Sequence, residues 1–294
     1  MPKFHFIVNP IAGTGRSDRL FNEAKAILDD RGVEYSVAYS EYPTHAVELA
    51  KAAAKNGETH IVAVGGDGTV NEVARALVGT DAVLGIIPCG SGNGLARHLH
   101  IPMNPRKAIE ILNQGQIRRI DTLTVNGTPC FCTAGVGYDA FVSEEYAKEP
   151  TRGLVTYVRK AVENWFDYTP EQYLIETEEG MFSRTALAIT CANANQWGNG
   201  FHVAPKASLT DGLIDVTIIH PIKPLNALPM PVQILGYSFD KNPGVETFKT
   251  SGLTIRRATP APLHIDGEPQ SGTRDITIAL RPASLGVLCG DGEV

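Results

Sequence analysis

The sequence lacks the features of a membrane-spanning or exported protein. Its 294 residues contain no run that approaches the roughly 18 apolar residues of a membrane span. The first residues, "MPKFHFIVNP", show neither a basic region nor a long apolar stretch, so we do not expect a signal peptide. No block of Lys or Arg stands out and the net charge is −6, so we expect no nucleic-acid partner.

Cysteine is scarce and irregularly spaced. The five cysteines make an odd number, and none follows the spacing of a metal site. We interpret them as reduced thiols, which is typical of a cytoplasmic protein.

Two nucleotide-binding motifs are also missing, since the chain contains neither G-x-x-x-x-G-K-[ST] nor, after its first strand, G-x-G-x-x-G. An ordinary P-loop or dinucleotide-binding fold is therefore disfavoured.

The chain has two halves with different periodicities. Up to residue 115, apolar strands alternate with helical patterns, which predicts a doubly wound parallel sheet. From Ile117 onwards, short strands with tight turns predict a β-sandwich, interrupted by helix at 137–166. We therefore expect an α/β domain at 1–120 and a β-sandwich domain at 121–280. The segment 281–294 is a candidate to complete the first domain.

Three glycine-rich turns each follow a strand and precede a helix. They read "NPIAGTG" (9–15), "GGDGTVNE" (65–72) and "PCGSGNGLARHL" (88–99). Glycine lets backbone N–H groups approach a ligand, and the following helix adds unpaired donors and a partial positive charge. Because the carboxyl ends of parallel strands share one edge, the three turns predict a single phosphate-binding edge.

These motifs resemble the diacylglycerol kinase catalytic-domain family, which includes bacterial lipid kinases and sphingosine kinases. The matching stretches, in the family's order, are "FIVNPIAGTG", "GGDGTVNEVARAL", "GIIPCGSGNGLARHL", "AGVGYDA", "SLTDGLIDVTII" and "HIDGEP". They span almost the whole chain. "GGDGT" alone also occurs in NAD kinases, but "TVNE" and "GSGN" favour the lipid-kinase branch.

The resemblance implies an α/β nucleotide domain, a β-sandwich, and an active site in the cleft between them. It implies ATP as the phosphoryl donor. The residues expected beside ATP are Asn9, Pro10, Ile11, Ala12, Gly13, Ser40, Gly65, Gly66, Asp67, Gly68, Thr69, Val70, Asn71, Glu72 and Ser91. Arg16 and Arg97 are candidates to contact phosphate oxygens, with a solvated loop charge and a helix-surface ion pair as the alternatives.

Two places suit Mg²⁺. A carboxylate among phosphates needs a cation between them, so Asp67 predicts a bridging Mg²⁺, unless Asp67 caps the following turn. The segment "SLTDGLID" resembles the family's second magnesium site. There Asp211 would supply a carboxylate, and Ser208 and Leu213 backbone carbonyls. An ordinary Asp-Gly turn is the alternative, with Asp215 hydrogen-bonded in its network.

The segment "HIDGEP" carries the expected catalytic carboxylates. A kinase needs an acceptor that orients the attacking hydroxyl, and the family places its base in this D-G-E. Glu268 is the first candidate and Asp266 a close second. A polar hairpin turn without a catalytic role is the alternative.

The most economical function is an ATP- and Mg²⁺-dependent lipid kinase. Diacylglycerol, a sphingoid base, ceramide and phosphatidylglycerol all stay open as acceptors. We expect peripheral contact with the inner face of the membrane, for which the apolar segment 221–239 is a candidate surface; a buried loop is equally open. The oligomeric state is open, including a homodimer. The competing hypotheses are an NAD kinase-like enzyme and a non-catalytic nucleotide-binding regulator.

Overall fold

The computed structural model describes residues 3–12, 17–30, 32–150, 153–165, 168–222 and 227–294. The chain divides into two compact units. One comprises Met1–Thr122 together with Pro282–Val294, and the other comprises Leu123–Arg281. The expected architecture, an α/β unit followed by a β-sandwich unit, is confirmed. The unit boundaries lie within two residues of those read from the sequence.

The first unit alternates strands and helices along the chain. Its elements are β1 (Phe4–Val8), α1 (Ser17–Asp30), β2 (Tyr35–Tyr39), α2 (His45–Lys55), β3 (His60–Gly65), α3 (Asp67–Leu77), β4 (Val83–Pro88), α4 (Gly94–His98), α5 (Pro105–Gln114) and the start of β5 (Gln116–Val125).

The strands of the first unit form a parallel sheet in the order β2-β1-β3-β4. A fifth strand segment comes from the end of the chain, where Gly286 and Val287 pair in parallel with Val83 and Leu84 of β4. The residues of β3 and β4 are almost all buried, as expected for strands covered by helices on both faces. All β-to-α turns of this sheet therefore open at one edge.

The second unit is built mainly from antiparallel strands. Its elements are the end of β5, β6 (Thr128–Cys130), β7 (Thr133–Gly137), α6 (Tyr138–Ala147), α7 (Leu154–Glu163), β8 (Glu171–Thr177), β9 (Gly180–Ala186), β10 (Ala188–Ala192), β11 (Ile214–Ile219), α8 (Met230–Leu235), a 3-10 turn (Phe239–Lys241), β12 (Val245–Thr250), β13 (Gly252–Ile265) and most of β14 (Glu268–Cys289).

The strand order in this unit is β12-β11-β10-β7-β13-β14, and β8 and β9 extend from β13. The hairpin expected at Asn126-Gly127 is present. Both residues have positive φ, 48° and 85°, as a two-residue turn between β5 and β6 requires. The sandwich core includes Leu123, Val136, Tyr173 and Ile189.

A second apolar cluster joins the helices to the sheet of this unit. Tyr157 and Ala161 of α7 and Met230 and Ile234 of α8 pack into the same cluster. Several apolar side chains of these helices stay exposed, namely Val155, Val158, Val162, Val232 and Leu235, and Leu228 and Tyr237 beside α8 are exposed as well. Within the described ranges, every helix is too short or too polar to cross a membrane.

Candidate active site

The described parts of the three glycine-rich turns, residues 9–12, 65–72 and 88–99, lie at the carboxyl edge of the parallel sheet, as expected. Asn9 follows β1 and its side-chain amide donates to the Thr69 hydroxyl at the start of α3, with an Nδ2–Oγ1 distance of 3.1 Å. Two of the turns also contact each other through their backbones. A Cβ atom on Gly90 would lie 2.8 Å from the Cα atom of Gly66, so position 90 has room only for glycine.

The amino end of α3 is the best anion site at this edge. Its first intrahelical hydrogen bond runs from the Val70 N–H to the Gly66 carbonyl, over 3.0 Å. The amides before Val70 therefore point out of the helix end, where the helix dipole favours negative charge. Asp67 and Gly68 are exposed, whereas Thr69, Val70 and Asn71 are buried. This geometry suits a phosphate.

Asp67 links this helix to the turn after β4. Its carboxylate accepts hydrogen bonds from the backbone N–H groups of Asn93 and Gly94, each at 2.8 Å. Asp67 therefore caps α4, a helix 27 residues further along the chain, and not its own turn. A Cβ on Gly92 would lie 2.8 Å from an Asp67 oxygen, which explains the glycine there. Whether Asp67 also binds Mg²⁺ stays a prediction.

Glu72 caps a different helix. Its carboxylate accepts hydrogen bonds from the N–H groups of Thr44 (3.0 Å) and Ala46 (3.1 Å) at the start of α2. The sequence placed Glu72 beside the phosphates, but the structure turns its carboxylate towards α2. A direct contact between Glu72 and ATP is therefore disfavoured. Two carboxylates of α3 thus fix the starts of two neighbouring helices.

The other expected nucleotide residues that the structure describes lie at the same edge. Ser40 follows β2 and is nearly buried, and its N–H donates to the Val8 carbonyl at 2.9 Å. Ser91 is exposed. The Arg97 Nε donates to the Gly92 carbonyl at 2.9 Å, so the Arg97 side chain stabilises the turn between β4 and α4. Pro10 and Ala12 are half-buried, Ile11 is exposed, and Gly65 is buried. Gly13 and Arg16 lie outside the described residues.

The Asp-Gly-Glu segment of the second unit forms the turn between β13 and β14. The Asp266 carboxylate accepts hydrogen bonds from three successive backbone N–H groups, those of Phe131 (3.0 Å), Cys132 (2.7 Å) and Thr133 (3.1 Å). Burial raises the pKa of Asp266, and these backbone hydrogen bonds act in the opposite direction.

The two carboxylates of this turn therefore differ in accessibility. Asp266 is enclosed by backbone amides, which makes it a structural anchor and a poor proton acceptor for a substrate. Glu268 begins β14 and is exposed. The sequence ranked Asp266 as a close second candidate for the base. Accessibility makes Glu268 the better candidate, and its role as the base stays a prediction.

The turn expected to hold a second Mg²⁺ already contains a cation. The Lys249 ammonium lies 2.7 Å from an Asp211 oxygen, 3.1 Å from an Asp215 oxygen and 3.2 Å from the Lys206 carbonyl oxygen. The sheet register explains this arrangement, since Asp215 on β11 pairs directly with Lys249 on β12.

Protein groups occupy the Asp211 carboxylate of this turn, and the magnesium site at Ser208, Asp211 and Leu213 stays a prediction. Asp211 is neutralised by Lys249, and its second oxygen accepts the Leu213 N–H at 3.1 Å. The Ser208 hydroxyl accepts the Thr210 N–H at 3.3 Å, as in a tight turn. Among the described residues, no group of three or more His, Cys, Asp or Glu side chains is arranged to hold a metal. The structure thus supports the alternative of a hydrogen-bonded Asp-Gly turn, with Asp215 in its network.

Comparison with known proteins settles the family. The family model of the diacylglycerol kinase catalytic domain matches residues 3–125. That of the YegS C-terminal NAD kinase beta sandwich-like domain matches residues 132–289. The chain belongs to the diacylglycerol kinase catalytic-domain family. The resemblance inferred from the motifs is therefore confirmed, and the chain is a member of a lipid-kinase family.

Individual relatives agree with this assignment. The chain is 30% identical to "Probable lipid kinase YegS" of Escherichia coli O9:H4 (strain HS) over 270 residues, 90% of this chain and 89% of that one. It is 29% identical to "Uncharacterized protein sll0036" of Synechocystis sp. over 96% of this chain and 69% of that one. A solved structure named as a diacylglycerol kinase from Bacillus anthracis str. Sterne shares the fold, with a TM-score of 0.75, 17% identity and coverage of 99% and 98%.

Proposed function

We propose that this protein is an ATP- and Mg²⁺-dependent kinase that transfers the γ-phosphoryl group to a lipid hydroxyl. The observation that carries the proposal is the glycine-rich edge of the first unit, where Asp67 braces the turn after β4 and Glu72 braces the neighbouring start of α2. Phosphoryl transfer needs mainly positioning and charge neutralisation, and this edge supplies outward-pointing amides on a rigid frame. Diacylglycerol, a sphingoid base, ceramide and phosphatidylglycerol are the acceptor candidates.

Among the described residues, Asp67 at this edge is our candidate ligand for Mg²⁺. Asp67 is exposed, and a carboxylate oxygen that accepts one N–H keeps a further lone pair. Asp67 is thus the residue we propose to hold Mg²⁺ at the phosphates, directly or through water. When bound, the ion would neutralise phosphate charge that would otherwise repel the carboxylate. The turn with Asp211 and Lys249 takes no part in this role.

Glu268 is the residue we propose to receive the proton of the acceptor hydroxyl. It lies at an exposed position next to a turn that is fixed by the amides around Asp266. An exposed carboxylate on a fixed backbone is accessible to an acceptor hydroxyl and can orient its attacking oxygen.

We also propose peripheral contact with the cytoplasmic face of the membrane through α7 and α8. Val155 and Val232 are 84% and 74% exposed, and both helices are backed by one apolar cluster. Surfaces of this kind lower their free energy in a lipid interface. Val155→Glu with Val232→Glu should weaken co-flotation with phosphatidylethanolamine/phosphatidylglycerol vesicles. Met181→Glu, also at an exposed apolar residue, is the matched control. Equal flotation of both variants would contradict the proposal.

The enzymatic experiment uses radiolabelled ATP with Mg²⁺ on extracted total lipid in mixed micelles, and NAD in a parallel reaction. Wild type should label a lipid, whose chromatographic mobility identifies the acceptor. Glu268→Gln should keep nucleotide binding and label none. Labelled NAD in place of lipid would support the NAD kinase-like alternative. ATP binding without any labelled product would support the regulator alternative.

A further inference from the structure

His264 lies at the end of β13, immediately before the turn that leads to Glu268. It pairs with Gly135 on one neighbouring strand, β7, and with Pro269 on the other, β14. The residues on either side of it, Leu263 and Ile265, belong to the sandwich core. Because side chains alternate along a strand, the imidazole lies on the opposite face, where it is almost completely buried.

The imidazole contacts a buried carboxylate. His264 Nε2 is 3.2 Å from an oxygen of Asp139, in the first turn of α6. The same Asp139 carboxylate accepts the Thr190 hydroxyl at 2.9 Å and the Ala140 N–H at 2.7 Å. Three donors therefore fix the orientation of Asp139, and a buried carboxylate without such partners would be strongly destabilising.

The neighbouring strand makes room for this contact. A Cβ atom on Gly135 would lie 2.2 Å from the Asp139 oxygen and 2.6 Å from His264 Nε2. Any other residue at position 135 would have to displace both groups. The motif "AGVGYDA" thus contains both the carboxylate and the glycine that gives it access to His264, a link that the sequence motif alone did not explain.

The second ring nitrogen of His264 contacts the turn between β13 and β14, which contains Asp266 and Gly267. The Gly267 N–H points to His264 Nδ1, with an N–N distance of 3.4 Å. A ring nitrogen accepts a hydrogen bond only when it carries no proton, and Asp139 requires a donor at Nε2. The two contacts together specify the neutral imidazole with its proton on Nε2.

We propose that Asp139 and His264 are positioning residues that hold the Gly267 amide and thereby fix Glu268 for the reaction. The inference rests on the proposed function, in which Glu268 receives the acceptor proton. Asp266 and Gly267 have positive φ, 52° and 80°. The Asp266 carboxylate secures one side of the turn and His264 secures the other, and Glu268 is the next residue in the chain.

The decisive variant is Asp139→Asn, which keeps the shape of the side chain. Its amide nitrogen would face His264 Nε2 and shift the ring proton to Nδ1, where it opposes the Gly267 N–H. We expect kcat to fall about tenfold or more, because a wrong histidine tautomer misplaces the group that it holds. The KM for ATP should stay within about twofold, since the nucleotide edge is unchanged. Asp121→Asn is the control, because it is an equally buried aspartate that accepts the Ala283 N–H.

Two substitutions of His264 separate positioning from packing. His264→Asn places an amide oxygen near the position of Nδ1 and keeps an acceptor for Gly267. His264→Gln places a donor near Nε2 for Asp139 but offers Gly267 no acceptor. The proposal expects the Asn variant to retain the higher kcat at matched melting temperature. Equal losses, or a higher kcat in the Gln variant, would overturn it.

A measurement independent of activity completes the test. The ¹⁵N shifts of the His264 ring in the wild-type protein should report a proton on Nε2 and a bare Nδ1. A proton on Nδ1 would overturn the inference even if the enzyme is active. If the wild type phosphorylates no lipid, the proposed function fails, while the ring shifts still decide whether His264 accepts from Gly267.

Discussion

At the scale of single residues, Asp67 combines two roles that make opposite predictions. As a cap of α4 it stabilises the protein without any ligand, whereas as a magnesium ligand alone it would not. Asp67→Asn would place an amide donor against the Asn93 or Gly94 N–H. We expect a loss of about 1–3 kcal/mol in the free energy of unfolding, measured by urea titration in EDTA without nucleotide.

The control for this substitution is Asp81→Asn, at an exposed turn before β4. It should change the free energy of unfolding by less than about 0.5 kcal/mol. If Asp67→Asn matches wild type in EDTA and loses only Mg²⁺-dependent ATP binding, the capping role has no energetic weight.

The site residues that could be predicted from the sequence are those whose position depends on a single strand end and its turn. The glycine turns and Asp266-Gly267-Glu268 follow strand ends, which periodicity and turn chemistry indicate directly. The contacts from Glu72 to Thr44, and from Lys249 to Asp211, join residues 28 and 38 positions apart. No local pattern reports such contacts, because they depend on which helices and strands become neighbours.

At the scale of elements, α3 determines how α2 begins. Glu72→Gln would leave one of the α2 amides, at Thr44 or Ala46, without its carboxylate acceptor. Loss of a cap costs about 1 kcal/mol, so amide exchange over residues 44–55 should become faster by about fivefold. Hydrogen-exchange mass spectrometry measures this. Glu48→Gln removes a carboxylate from the first turn of the same helix, but one that accepts from the Tyr42 hydroxyl and from none of the α2 amides, so it should give a smaller increase in exchange than Glu72→Gln.

The strand pair β11–β12 gives a prediction about pH. Burial raises the pKa of Asp215, and Lys249 opposes this shift. The free-energy cost of ionised Asp215 in the folded state is therefore absent below its unfolded pKa, grows as pH rises, and is complete above its folded pKa. Lys249→Met should destabilise the protein most at about pH 8 and less at about pH 5. Unfolding at the two pH values tests this, with Lys249→Arg as the charge-preserving control.

The position of the Lys249 ammonium also leads to a prediction about Mg²⁺ binding at the turn that contains Asp211. With Lys249 between Asp211 and Asp215, Mg²⁺ should not raise the melting temperature through this turn, so Asp211→Asn should leave any Mg²⁺ response unchanged. A Mg²⁺ response that Asp211→Asn abolishes would restore the magnesium site inferred from the family's motif.

At the scale of the whole molecule, the first unit is completed by the last strand of the chain. Gly286 and Val287 pair with β4, and Leu288 packs in the same core cluster as Phe4 and Val62. Leu285 and Val287 are fully buried as well. Burial of one such side chain contributes about 1.5–3 kcal/mol. Without this strand, the first unit loses the burial free energy of Leu285, Val287 and Leu288. Their sum is comparable to the free energy of unfolding of a whole domain.

A chain that ends at Leu285 should therefore lose nucleotide binding although it keeps all three glycine turns. Its first unit would expose β4 as an edge and leave a gap in the core around Phe4. A chain that ends at Gly290 retains the β4 pairing and is the matched control. Binding of a fluorescent ATP analogue and thermal unfolding measure the difference. If the shorter chain binds the analogue like the longer one, the glycine turns are stable without the last strand. If it does not, the phosphate-binding edge forms only after residues 282–289 have been synthesised and paired.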